Sequence, residues 1–219
     1  YQLETNQLQF LFSERFGKNC TEVIEICDLA VTSNGQFIAI SEVYRPNHAI
    51  LSIYDSETQV AHVHLRHDEV EKFVSLTLSS DGSFIAALGI GSQNCRIFLW
   101  KMGRQVPPLT IIPVSNTTTS ICFDPQNHYR LVIFGSPGIR SILINTIDKT
   151  MKEIETDQTF EKYVFVPSVN GLLLASFQTF LYIIMNDTIV ETIQPLQKEN
   201  IDFLRSVRNY VFIISGSNI

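Results

Sequence analysis

Short apolar segments rich in Phe, Ile, Val and Leu alternate with polar turns along most of the chain. β-Branched and aromatic residues favour strands, and long stretches with apolar residues at helical spacing are missing. The pattern is clearest where a Ser-Asn-Gly-Gln turn precedes the apolar run Phe37–Tyr44 and a Ser-Asp-Gly-Ser turn precedes Phe84–Gly89. Both turns contain residues that tolerate positive φ. The chain is therefore predicted to be all-β.

One such strand–turn–strand motif occurs three times. It reads DLAVTSNGQFIAISE at Asp28–Glu42, SLTLSSDGSFIAALG at Ser75–Gly89 and SICFDPQNHYRLVIFG at Ser120–Gly135. The copies begin 47 and then 45 residues apart, which is the length of one four-stranded propeller blade. We therefore expect each copy to form the two inner strands of a blade.

The repeats predict an incomplete β-propeller domain over residues 1–219. The predicted blades cover residues 21–66, 70–115, 117–156 and 160–196, with a partial fifth over 200–219. In the first blade we expect strands at Cys27–Thr32, Phe37–Tyr44, Ala49–Asp55 and Gln59–Leu65. Four blades and a fragment predict about half of a seven- or eight-bladed ring, or the front part of a tandem pair, with the remaining surface supplied by residues outside this sequence.

Net charge and the length of the apolar runs indicate which classes of partner the protein is not expected to bind. The 219 residues have a net charge of −6, and Lys and Arg are not clustered, so the protein is expected to repel nucleic acid. The apolar runs are too short to span a bilayer, so no membrane partner is expected. The four cysteines lack the close paired spacing of a zinc or redox site and are expected to be reduced thiols.

Two segments contain residue types used in catalysis. His62, His64, His67 and Asp68 form the densest group of candidate metal ligands, but no Cys or third His recurs at comparable spacing in the next blade, and we interpret the group as an exposed outer strand with polar residues facing water. The segment 80–84 has some likeness to the Asp box of sialidase-type propellers, but it joins the first two strands of its blade and is interpreted as a hairpin turn. The chain is predicted to be non-enzymatic, with no catalytic residue, metal or cofactor.

The repeats resemble degenerate WD repeats. They share the turn after the first strand and the Tyr54-Asp55 pair at the end of a third strand, but they lack the usual Gly-His pair. The run DEVEKFVSLTLSSDGSF at Asp68–Phe84, followed by CRIFLWKM, is similar to the N-terminal propeller of the cilia- and flagella-associated protein 57 family. AILSIYDSETQ and SICFDPQNHYRLVIFG extend the likeness to Cys27–Thr146. The expected fold is thus a WD-repeat-type propeller.

The resemblance implies a scaffold in the axoneme of a cilium or flagellum, within the cytoplasm and cytoskeleton. Members of that group combine tandem propellers with a long coiled coil and help to position inner dynein arms and regulatory complexes on doublet microtubules. The implied partners are proteins: axonemal complexes, dynein arm components and tubulin. The family assigns no catalytic residues.

Loops between the second and third strands and between successive blades are expected to share one face, which is where propellers commonly bind partners. The predicted contact residues in the first blade are Arg45, Asn47, His48, Arg66 and His67. Two other functions stay open. One is a WD-repeat adaptor of a coat or a ubiquitin ligase, and the other is a propeller hydrolase with its active groups at the central channel.

Overall fold

The structure of the chain is a computed structural model. It describes residues 23–44, 48–58, 60–92, 94–103, 107–135, 138–144, 150–153, 160, 162–166, 169, 171–186, 188–194, 201–207 and 210–215. All regular elements in these ranges are β-strands. Nowhere in them is there a helix capable of crossing a membrane.

The strands form four antiparallel sheets of four strands and one of two, each in chain order. Blade 1 contains β1 (Val23–Val31), β2 (Phe37–Tyr44), β3 (His48–Asp55) and β4 (Ala61–Leu65). Blade 2 contains β5 (Lys72–Leu78), β6 (Phe84–Ile90), β7 (Cys95–Lys101) and β8 (Thr110–Val114). Blade 3 contains β9 (Thr118–Asp124), β10 (Asn127–Gly135), β11 (Ile139–Leu143) and β12 (Thr150–Glu153). Blade 4 contains β13 (Lys162–Phe165), β14 (Leu172–Phe177), β15 (Phe180–Met185) and β16 (Thr188–Ile193), and the fifth sheet contains β17 (Ile201–Val207) and β18 (Tyr210–Ser215).

The first strands of successive sheets lie side by side: β1 contacts β5, β5 contacts β9, and β13 contacts β17. The sheets are therefore arranged as radial blades, with their first strands nearest the axis. This arrangement confirms the all-β prediction and the prediction of a partial propeller. The predicted start of β1 at Cys27 is wrong, since Val23 already pairs with Tyr44 across two irregularities in the ladder. Glu25 interrupts the apolar pattern there, which is why the pattern alone did not show the strand.

Both faces of the inner blades are buried, and alternate residues along a strand pack against different neighbours. On β6, Ile85 and Ala87 belong to the core between blades 1 and 2, whereas Ala86 and Leu88 belong to the core between blades 2 and 3. On β7, Trp100 and the phenylalanine two residues before it are also buried between blades 1 and 2. Two further apolar cores join blades 3 and 4 and blade 4 to the fifth sheet.

Polar side chains of the first strands join one blade to the next. The Asp28 carboxylate accepts a hydrogen bond from the Leu76 backbone N–H, 2.6 Å away. At the matching position of the repeat, the Ser75 hydroxyl accepts one from the Ile121 N–H at 3.1 Å. These side chains satisfy backbone donors that the strand ladders leave unpaired, which would be costly if left buried without a partner.

A second polar position closes the turn between the first and second strands. The Thr32 hydroxyl accepts a hydrogen bond from the Phe37 N–H, and the Ser79 hydroxyl accepts one from the Phe84 N–H, both at 2.9 Å. Both turns contain a glycine at positive φ, as the sequence predicted (Gly35, 72°; Gly82, 70°).

Candidate functional site

The connections between blades and the turns between second and third strands lie on the same side of the molecule. Ile90, the last residue of β6, pairs with Lys72 at the start of β5 and with Cys95 at the start of β7, so the connection into β5 and the turn into β7 meet at the same end of β6. We call this side the connection face. It includes the connection between β4 and β5 (residues 66–71) and the turn between β6 and β7 (residues 91–94). The two segments touch: the Glu71 N–H donates to the Ile90 carbonyl at 2.9 Å. A side chain at Gly91 would collide with the Glu69 carbonyl, so glycine is required for this close approach.

A cleft of about 280 Å³ lies between these two segments. Its apolar lining comes from Val70 and Phe98, together with the backbone of Gly89. A Cβ atom at Gly89 would stand 2.7 Å from the Phe98 ring, so glycine keeps that part of the lining open. The Arg96 guanidinium and the Glu69 carboxylate form an ion pair across the lining, and both groups are partly exposed. Ser92 and Asn94 supply the remaining polar groups. The cleft thus combines an apolar base with groups that can both donate and accept hydrogen bonds.

Three of the five predicted contact residues, His48, Arg66 and His67, are described, and they lie on this face. Arg45 and Asn47 lie outside the described residues. His48 is exposed at the start of β3, and Arg66 is exposed at the end of blade 1. His67 is half-buried and packs against the Phe98 ring, with the ring centres 4.9 Å apart. Arg66 and His67 therefore lie in the β4–β5 connection on this face, and His67 also packs against Phe98, which lines the cleft.

Among the histidines considered as metal ligands, the side chain of His62 lies outside the described residues, and those of His64 and His67 have different contacts. The His64 Nδ1 atom is 3.0 Å from the Ser52 hydroxyl, and its ring packs edge-on against Tyr54. His67 instead packs against Phe98 on blade 2. Nowhere in the described ranges do three His, Cys, Asp or Glu side chains come close enough to hold a metal ion. Ser52 is fully buried, so its contact with His64 is not open to a substrate.

The first strands also bear charged groups near the axis, which the sequence alone did not single out as a site. Glu25 and Lys72, 47 residues apart, form an ion pair between β1 and β5. The carboxylate of Asp28 is bound to a backbone N–H of blade 2. Burial raises the pKa of the Cys122 thiol to about 12, which keeps it protonated and a poor nucleophile near neutral pH. The Glu25–Lys72 ion pair and the Asp28 hydrogen bond connect blades 1 and 2. Glu25 and Lys72 are one repeat length apart, which was visible in the sequence.

The segment considered as an Asp box is a hairpin turn in the structure. The Asp81 carboxylate accepts hydrogen bonds from the Ser79 hydroxyl at 2.7 Å and from the Ser83 N–H at 3.0 Å. The His128 Nε2 atom lies 3.6 Å from the same carboxylate. Asp81 therefore stabilises its own turn and contacts blade 3.

Comparison by sequence gives no assignment: no family model and no curated protein matches the chain. Comparison by structure finds propellers. The β-propeller domain of Cps50 (Swd1) from Myceliophteria thermophila is similar with a TM-score of 0.65 and 18% identity, over 86% of this chain and 61% of that one. Hydrazine synthase from Kuenenia stuttgartiensis is similar with a TM-score of 0.62 and 15% identity, over 89% of this chain and 55% of that one.

A third structure, a functionally unknown protein from Desulfotomaculum acetoxidans, gives a TM-score of 0.62 at 10% identity, over 80% of this chain and 57% of that one. The chain thus spans less than two thirds of each of these proteins. At such low identity the likeness establishes the fold and leaves the activity open, since one of the three is an enzyme. The comparisons and the radial blades together show that this chain forms part of a β-propeller.

Proposed function

We propose that the chain is a non-enzymatic protein-interaction module that binds partners through its connection face. The observation that supports this proposal is the cleft between the β4–β5 connection and the β6–β7 turn, where an ion pair and exposed polar groups lie above buried apolar residues. Binding faces of this kind position partners through many modest contacts.

The finer proposal is an axonemal scaffold that helps to position inner dynein arms or regulatory complexes in a cilium or flagellum. Its support is the resemblance over Cys27–Thr146 and the propeller fold. A WD-repeat adaptor of a coat or ubiquitin ligase is the alternative with the same fold. A hydrolase has weaker support, because the charged groups on β1 and β5, Glu25, Asp28 and Lys72, are bound to each other or to backbone.

Affinity purification from ciliated cells tests the function. The tagged protein, purified from salt-extracted axonemes, is expected to retain dynein arm or regulatory proteins in stoichiometric amounts. Recovery of coat or ubiquitin ligase subunits instead would favour the adaptor, and absence of any stable protein partner would refute the interaction module.

Variants of the connection face test the site. Replacing the exposed residues His48 and Arg66 by alanine is expected to lower partner recovery several-fold without changing the melting temperature, since neither side chain is buried. Lys101→Ala is the matched control, because Lys101 is an exposed cation at the opposite end of β7. His67 is left unchanged because it packs against Phe98, so its substitution could lower partner recovery by destabilising the fold. Equal recovery of partner proteins with the His48 and Arg66 double variant and with Lys101→Ala would show that the partner contacts lie elsewhere.

A further inference from the structure

The charges around the cleft indicate what kind of partner group fits it. Residues 66–71 contain three carboxylates, those of Asp68, Glu69 and Glu71, against one guanidinium, that of Arg66. All four side chains are exposed. Arg96 is paired with Glu69, so the described ion pairs leave Asp68 and Glu71 without a cationic partner. An anionic ligand would approach these two carboxylates unfavourably, whereas a cationic one would be attracted.

The shape of the cleft agrees with a long basic side chain. Val70 and Phe98 line the bottom of the cleft but are almost fully buried, so a lysine or arginine that enters it would contact mainly the Gly91 backbone and the exposed side chains of Ser92 and Asn94. The Glu69 side chain is 63% exposed at the rim, where its carboxylate can accept a hydrogen bond from an incoming ammonium or guanidinium group. The cleft volume of about 280 Å³ admits one such side chain together with part of its backbone.

We propose that the cleft between the β4–β5 connection and the β6–β7 turn binds an arginine or lysine side chain from a basic segment of a partner protein. The inference rests on the proposed function as an interaction module and adds the partner's chemistry. The basic group pairs with Glu69, while Asp68 and Glu71 attract the flanking positive charges of the segment. The net charge of −6 on the whole chain favours association with such a segment.

Peptide titration followed by NMR tests the proposal on the ¹⁵N-labelled chain. The probe is an acetylated, amidated peptide of alternating arginine and glycine, and a glutamate–glycine peptide of equal length is the control. The arginine peptide is expected to shift the backbone amides of residues 69–71 and 91–96, and the glutamate peptide is expected to shift none of them. Binding of the glutamate peptide at the same amides, or arginine-peptide shifts confined to other blades, would overturn the proposal.

Three variants separate the effect of charge from that of shape. Asp68→Asn combined with Glu71→Gln is expected to weaken arginine-peptide binding about five-fold, the scale of two exposed ion pairs. Glu57→Gln combined with Glu191→Gln removes the same charge from exposed positions outside the cleft and is expected to weaken it less than two-fold. Ser92→Phe leaves the charges unchanged and is expected to abolish the shifts by filling the cleft. Equal weakening by the two charge variants would show nonspecific attraction and overturn the proposal.

These results are independent of the purification experiment. If the protein retains partners from cells while the arginine peptide fails to bind, the partner chemistry is wrong and the interaction module stands. If the peptide binds at the cleft but no protein partner is retained, the proposed function fails.

Discussion

The Asp81 carboxylate illustrates how a single turn residue links stability to pH. Burial alone would raise the pKa of Asp81, but hydrogen bonds from Ser83 and Ser79 and the nearby His128 imidazole outweigh it, so its pKa is lowered. A lowered pKa adds stability above the unfolded-state value of about 3.9, and that stability is lost as the pH falls through the folded-state value. Asp81→Asn should cost about 1 kcal/mol of unfolding free energy at pH 7 and less at pH 3. Urea unfolding at both pH values measures this, with exposed Asp68→Asn as control; a loss independent of pH would contradict it.

Glu42 on β2 should show the opposite dependence. Its side chain is buried, and the Tyr44 hydroxyl donates to its carboxylate at 3.1 Å. Desolvation nevertheless raises the pKa of Glu42. The stabilising, protonated form therefore dominates below the unfolded-state pKa of about 4.3 and is lost as the pH rises through the folded-state pKa. Glu42→Gln removes the buried charge and should raise the melting temperature at pH 7 but not at pH 4. Thermal unfolding at pH 7 and pH 4 checks this, and a melting temperature of the Glu42→Gln variant below that of the native chain at pH 7 would refute it.

At the scale of elements, adjacent first strands are joined by side chains that accept hydrogen bonds from the next blade. The Thr77 hydroxyl accepts one from the Phe123 N–H at 3.0 Å, between β5 and β9. Thr77→Val keeps the shape but leaves a buried donor unpaired, so it should cost about 1–3 kcal/mol of unfolding free energy. Thr188→Val, at an exposed strand position, should change it by less than about 0.5 kcal/mol. Chemical denaturation measures both, and equal effects would show that the inter-blade bond contributes nothing.

The same elements show how far the sequence could predict the structure. The strand at Phe37–Tyr44 and its turn were predictable because apolar residues and a turn sequence coincide. The beginning of β1 was not, because Glu25 is explained only by Lys72 on the next blade. The cleft was also missed, since its ion pair joins Glu69 in the β4–β5 connection to Arg96 on β7, and the close approach of that connection to the next turn depends on Gly91. Local patterns predict strands and turns, whereas contacts between blades require the three-dimensional arrangement.

At the scale of the whole molecule, the two ends of the row of blades differ from its interior. Blades 2 to 4 have apolar cores on both sides. At the two ends of the row, by contrast, β1 and β18 leave large apolar side chains exposed. On β1 these are Val23, Ile24, Ile26, Leu29 and Val31, and on β18 they are Tyr210, Phe212, Ile213 and Ile214. Exposed apolar strands of this kind promote association with other strands.

The exposed ends should make the 219-residue chain self-associate in solution. Leu29→Lys combined with Phe212→Lys places a charge at each end, where both native side chains are 53% exposed, so the fold should tolerate the change. Sedimentation velocity over a range of concentrations should show larger species for the native chain and a shift towards monomer for this variant. Leu109→Lys adds the same charge at a site that is 55% exposed but lies in the connection before β8, away from both ends. If Leu109→Lys shifts the larger species towards monomer as much as the double variant does, the association depends on net charge and not on the exposed ends of the row of blades.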